Sequence, residues 1–122
     1  KLGTDPAGSR AGQATVSKIV TIPAGQTIKV ATVEGPRAIT SLKVKLDRDL
    51  VLDASNLLRS VILQISWDDE PTVAVWTPLG DFFGTAPGIN GYRSLATGMT
   101  ADGFYSYWYM PFAKLATVSL LN

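Results

Sequence analysis

Apolar and polar residues alternate with period two along most of this chain, and no stretch carries the 3.6-residue period of an amphipathic helix. That pattern limits the fold to strands. Val16 to Ile22 reads as a short strand closed by the turn Pro23-Ala24-Gly25-Gln26. Thr27 to Val33 alternates apolar and polar with period two, which predicts a half-buried strand, and Glu34-Gly35-Pro36-Arg37 is the next turn. From Ala38 to Leu46, Ile39, Leu42, Val44 and Leu46 oppose Ser41, Lys43 and Lys45, so one face meets a core and the other water. Leu57 to Trp67 is the best strand: Val61, Leu63, Ile65 and Trp67 share a face, with Arg59, Ser60, Gln64 and Ser66 interleaved. Ala113 to Leu121 is apolar on both parities, which predicts a central strand with both faces covered. Between these runs, 47–56 is ambiguous, although Leu50, Val51 and Leu52 need burial. The excursion from Gly84 to Gly103, with Gly88, Gly91, Gly98 and Pro87, reads as variable surface that includes an exposed Arg93.

Short strands punctuated by Gly and Pro predict an all-β fold, an antiparallel β-sandwich or jelly roll. The count is about seven candidate strands, where a jelly roll needs about eight. Further sequence or a neighbouring subunit is therefore expected to complete the fold. The residues divide into an N-terminal arm, 1–13, rich in Gly, Ala and Ser and expected to be flexible, and one jelly-roll domain, 14–122. The first residue is Lys1, as in a processed chain or a piece of a longer one.

Composition removes several functions. With 11 basic and 10 acidic side chains, nothing favours nucleic acid or an anionic membrane. No apolar run is long enough to span a bilayer. The chain has no cysteine and no histidine, which excludes a disulfide framework, a histidine base, a Ser-His-Asp triad and histidine metal ligands. No cofactor is expected. Charged residues are only 17% and hydrophobic ones 46%, a balance that predicts partial coverage by another chain.

Two segments carry unusual chemistry. Trp67 to Gly84 contains an acidic turn, Asp68-Asp69-Glu70-Pro71, a second extended run, Thr72 to Thr77, and the loop Gly80-Asp81-Phe82-Phe83-Gly84. Adjacent phenylalanines in a loop need a surface, either the protein's own core, a ligand or a second subunit. The acids read chiefly as a solvated hairpin tip capping backbone N–H groups. Their alternative role is sugar contact, with Trp67, Asp68, Glu70, Asp81, Phe82 and Phe83 as candidate substrate-binding residues. A hard cation could use the same oxygens, but their spacing does not call for one, so no metal site is assigned. Arg59 or Arg37 is expected to pair with Asp81 or Asp68. The second segment, Phe104 to Phe112, holds six aromatic residues in nine. Alternation puts Phe104, Ser106, Trp108 and Met110 on a core face and Tyr105, Tyr107 and Tyr109 on the other. An interface through Trp76, Tyr105, Tyr107, Trp108 and Tyr109 is favoured over sugar stacking.

Three motifs in order carry a family resemblance. They are Ile22-Pro23-Ala24-Gly25-Gln26-Thr27 with Glu34-Gly35-Pro36, then Ile65-Ser66-Trp67-Asp68-Asp69-Glu70-Pro71 with Pro78-Leu79-Gly80-Asp81-Phe82-Phe83-Gly84, and Tyr107-Trp108-Tyr109-Met110-Pro111-Phe112 with Lys114-Leu115-Ala116. From about Ile22 to the end, the chain resembles glycoside hydrolase family 172, formerly domain-of-unknown-function family 2961, in its N-terminal jelly-roll portion. The resemblance implies a jelly roll, doubled in full-length members, in trimers or hexamers. It also implies retaining hydrolysis of furanosides by two glutamates, in a secreted or periplasmic setting.

The departures bear on activity. Family members run longer, with the catalytic glutamates in a later part, whereas this chain has only Glu34 and Glu70. Ala74 replaces a glutamate of the family pattern, and Trp76-Thr77 is an insertion. Two functions follow: a furanosidase jelly roll lacking its own catalytic pair, completed within an oligomer, or a non-catalytic, self-assembling subunit of capsid or filament type. A lone carbohydrate-binding module is the third.

Overall fold

The computed structural model describes residues 8, 12–45, 58–84, 91–94, 96–100 and 103–122. The ambiguous segment 47–56 lies outside them, as do 85–90, 95, 101 and 102 of the Gly-rich excursion. The strands are β1 (Thr27–Glu34), β2 (Arg37–Ile39), β3 (Leu42–Val44), β4 (Ile62–Trp67), β5 (Val75–Pro78), β6 (Tyr92–Arg93), β7 (Thr97–Thr100), β8 (Gly103–Ser106), β9 (Met110–Phe112) and β10 (Leu115–Leu121). One helical turn, α1 (Leu79–Phe82), follows β5.

The strands form two antiparallel four-stranded sheets, ordered β1-β10-β4-β5 and β3-β8-β7-β6, with β2-β9 as a short ribbon. One core cluster draws on both large sheets, so they pack face to face as a sandwich. Leu63, Ile65 and Val118 enter it from the first sheet, and Met99 and Phe104 from the second. Each such side chain contributes about 1.5–3 kcal/mol by leaving water. Early strands pair with late ones: β1 with β10, β2 with β9, and β3 with β8. This is the wrapping of a jelly roll. Among the described residues, counting β2/β3 and β8/β9 as two bent strands gives eight, the number of a jelly roll.

The predicted central strand is β10, which lies between β1 and β4. Ala116, Val118 and Leu120 face inward opposite Trp67, Ile65 and Leu63. Thr117, Ser119 and Leu121 face outward opposite Ser66, Gln64 and Ile62.

Other expectations are corrected. Val16 to Ile22 forms no strand; Ile19 is fully exposed, and Lys18 donates through Nζ to the Lys29 carbonyl at 3.3 Å. A side chain rather than a backbone ladder thus meets that β1 carbonyl. Residues 58–60 are helical, so the strand predicted from Leu57 starts at Ile62. The run from Ala38 breaks after Ile39 because β2 and β3 pair in different sheets. The aromatic segment breaks in the same way between β8 and β9. Phe104, Tyr105 and Ser106 are all buried, while Trp108 is 53% exposed, so one alternating face does not run through the segment. The Gly-rich excursion also supplies core, since Met99 has no exposed surface.

Candidate functional site

The acidic turn closes β4. Asp68 and Asp69 both adopt left-handed backbone conformations, φ 54° and 57°, and the Glu70 N–H donates to the Trp67 carbonyl at 2.9 Å. Aspartate tolerates that region better than β-branched or bulky residues, which accounts for its use here. The turn aims the Asp68 carboxylate at the neighbouring bend between β9 and β10. It accepts N–H bonds from Lys114 at 2.6 Å, Leu115 at 2.9 Å and, more distantly, Ala113 at 3.4 Å. The Asp68 N–H donates in return to the Leu115 carbonyl at 2.7 Å. The turn after β1 joins the same end of the sandwich through the Gly35 N–H to the Lys114 carbonyl, 2.7 Å.

The N–H groups of Leu115 and Lys114 hold the Asp68 carboxyl below the usual aspartate range, outweighing the opposing effect of desolvation. A depressed native value means that the stabilisation is complete above the unfolded pKa, about 4, and is lost as pH falls through the native one. Urea midpoints recorded from neutral to acid pH are expected to fall more steeply for the natural chain than for Asp68→Asn. Equal slopes would show that Asp68 is not the linked group.

Asp81 stands elsewhere. It belongs to α1, which follows β5, and the Leu79 N–H donates to the Val61 carbonyl at 2.8 Å, just before β4 begins. Asp68 follows the other end of β4, so the strand's length, roughly 17 Å, separates the two carboxylate-bearing turns. The four acids therefore do not form one cluster. Asp81 is bound by Arg59, with Nη1 at 3.1 Å from Oδ1 and 3.3 Å from Oδ2. Both side chains are exposed, which limits such a pair to about 1 kcal/mol. Among the described residues, no group of three acids is placed to hold a metal ion.

The candidate sugar-contacting aromatics also separate. Trp67 stacks on Phe112 at 5.9 Å beside the acidic turn. Phe83 is wholly enclosed, edge-on to Phe82 at 5.1 Å and tilted against Phe104 at 5.6 Å. Of the three surfaces that the paired phenylalanines could meet, Phe83 takes the protein's own core. It presents no surface of its own, and half-buried Phe82 covers it.

The five interface candidates separate: Tyr105 is on β8, Tyr107, Trp108 and Tyr109 form the bend between β8 and β9, and Trp76 is on the other sheet. Tyr105 lies flat over Gly98, its strand partner, and donates through its hydroxyl to the Ser94 carbonyl at 3.0 Å. Tyr107 tilts against it at 5.2 Å, with the Lys43 ammonium 5.6 Å from the Tyr107 ring. Trp108 and Tyr109 follow, exposed by 53% and 64%. Trp76 is on β5 in the other sheet, 60% exposed. Sequence reasoning missed the hydroxyl network of Tyr92, which donates to the Phe83 carbonyl and lies 2.9 Å from the Thr97 hydroxyl oxygen. Only contact between β6 and the Phe83 turn creates it, and no local pattern announces that contact.

A family model described as GH172 domain-like matches residues 12–122. No curated protein matches the chain.

Proposed function

Since the chain belongs to the GH172 domain-like family, we propose that it is a β-sandwich module of a furanoside-cleaving assembly, with the catalytic carboxylate pair supplied outside the described residues. The observation that carries this reading is how its carboxylates are placed and engaged. Retaining hydrolysis needs two carboxyl groups about 5–5.5 Å apart. Asp68 is committed to backbone N–H groups, and Asp81 to Arg59, at opposite ends of β4. In this reading Trp67 and Glu70 border sugar only where a neighbouring subunit completes a cleft.

The purified chain is expected to release no sugar from aryl arabinofuranosides or fructofuranosides above the rate in buffer. Turnover that disappears in Glu34→Gln or Glu70→Gln would overturn the proposal. A second reading, a self-assembling structural subunit, draws support from the adjacent exposed side chains of Trp108 and Tyr109. Native mass of the particle distinguishes the two. A companion chain bearing a glutamate pair supports the module, and a homo-oligomer without furanosidase activity supports the structural subunit.

A further inference from the structure

β1 is an edge strand: among the described residues it pairs only with β10. The rim of such a strand is a template for pairing with another chain. Residues 13–22 run along this rim in the opposite direction to β1 without joining it as a strand. Gln13 Nε2 donates to Thr40 Oγ1 at 3.4 Å, and further along Lys18 reaches the Lys29 carbonyl. Between those contacts is an open groove of about 530 Å³, lined by Val16 and by Thr32 to Arg37. The firm anchor is Ile22, which packs on the core and whose carbonyl accepts from Asn122 Nδ2 at 2.7 Å. Pro23 to Gln26 then turn the chain into β1, the Gln26 N–H donating to the Pro23 carbonyl at 3.1 Å. Residues 12–19, by contrast, are all exposed, Ile19 completely. A segment that buries so little opens at small cost. β1 has two further guards: a bulge between Lys29 and Ala31, and the Lys18 ammonium at the carbonyl beside it. Bulges, edge lysines and covering loops are the means by which sheet edges are kept from pairing.

We propose that residues 13–22 are a releasable cover, and that a second copy of the chain pairs with the uncovered edge, β1 against β1 across a two-fold axis. Along β1, exposed and half-buried residues read the same in both directions. An antiparallel partner centred between Val30 and Ala31 therefore sets each residue opposite one of its own kind. On the inner side, Ile28 meets the partner's Val33. On the outer side, Lys29 meets the partner's Thr32, and Thr27 meets the partner's Glu34. The charges match as well. Lys29 lies diagonal to the partner's Glu34, within reach of two long side chains, and the axis repeats that pair. No like charges stand opposite each other. A foreign strand would have to reproduce this order of faces and charges, whereas a second copy supplies it by symmetry. The contact uses neither Trp108 nor Tyr109, and it is independent of where the hydrolytic carboxylates reside.

The test is sedimentation of the full chain over a concentration series, with hydrogen exchange read at the β1 amides. Gln13→Ala with Lys18→Ala removes the two side-chain bonds named above. That loosened chain is expected to form a species of doubled mass about tenfold more readily than the natural chain. In the same background, Glu34→Lys and Lys29→Glu are each expected to weaken doubling several-fold, and the two together to restore it. Exchange at β1 is expected to slow as doubling proceeds. Gln13, Lys18, Lys29 and Glu34 are all exposed, so circular dichroism of each variant is expected to match that of the natural chain. No doubling of the loosened chain at millimolar concentration would overturn the proposal, as would doubling that ignores both charge reversals or is not recovered by their combination. Slowed exchange at β1 without doubling would mean that the cover zips onto its own strand, and the proposal fails. Doubling lost in Trp108→Ala, with both reversals silent, would move the contact to the aromatic bend and overturn it as well.

Discussion

Phe83→Ala is expected to lower the unfolding free energy by about 3–5 kcal/mol, the usual cost of removing a buried aromatic ring. Phe83 has no exposed surface and joins the β5–α1 turn to β8 through its contact with Phe104. Leu58, Leu63 and Ile65 belong to the same close-packed buried cluster, so the space left behind collapses poorly. For a single domain this is a large share of a total of about 5–15 kcal/mol. Phe83→Leu keeps most of the volume and is expected to cost well under half as much. Urea unfolding of both variants checks the point. A Phe83→Ala cost below about 1 kcal/mol would mean that the loop, and not the core, holds this ring.

Gly98→Val is expected to destabilise by about 1–3 kcal/mol or more, by overpacking. A Cβ at this position would lie 2.2 Å from the Tyr105 ring, far inside contact distance. Tyr105 would have to swing out, giving up its burial and its bond to the Ser94 carbonyl. A double-mutant cycle separates this clash from the general effect of losing a strand glycine. In a Tyr105→Ala background the penalty of Gly98→Val is expected to shrink sharply. An unchanged penalty would locate the problem in the backbone of β7 and not in the ring.

The fold was legible wherever one strand stays in one sheet. Leu63 to Trp67 and Leu115 to Leu121 keep their parity from end to end, and Thr27 to Val33 alternates on either side of a register shift between Lys29 and Ala31, so period two identifies them directly. Legibility fails where the chain crosses between sheets. Thr40 and Ser41 separate β2 from β3, and Tyr107 to Tyr109 separate β8 from β9, so inside and outside are reassigned at each bend. That is why period two groups Trp108 with core-facing Phe104 although Trp108 is exposed. Val16 to Ile22 has the composition of a strand, but its conformation depends on a neighbour that composition cannot specify. At the candidate site, the capping role of the acids was legible for Asp68, because a carboxylate in a turn seeks N–H groups. Its partners were not, since they belong to a bend 45–47 residues away. Nor could spacing reveal that Asp68 and Asp81 stand at opposite ends of β4.

The position of β10 has a consequence for the newly made protein. On the ribosome β4 and β5 can zip together almost as soon as both have emerged. β1 has no such option: Thr27 must wait until Leu121 has been synthesised before the neighbours of their shared ladder can meet. During that interval the facing edges of β1 and β4 are both open, each offering unpaired backbone to any other strand within reach. The first sheet therefore closes only once β10 has emerged, and nearly at once, when one incoming strand fills a slot between two that were made long before it.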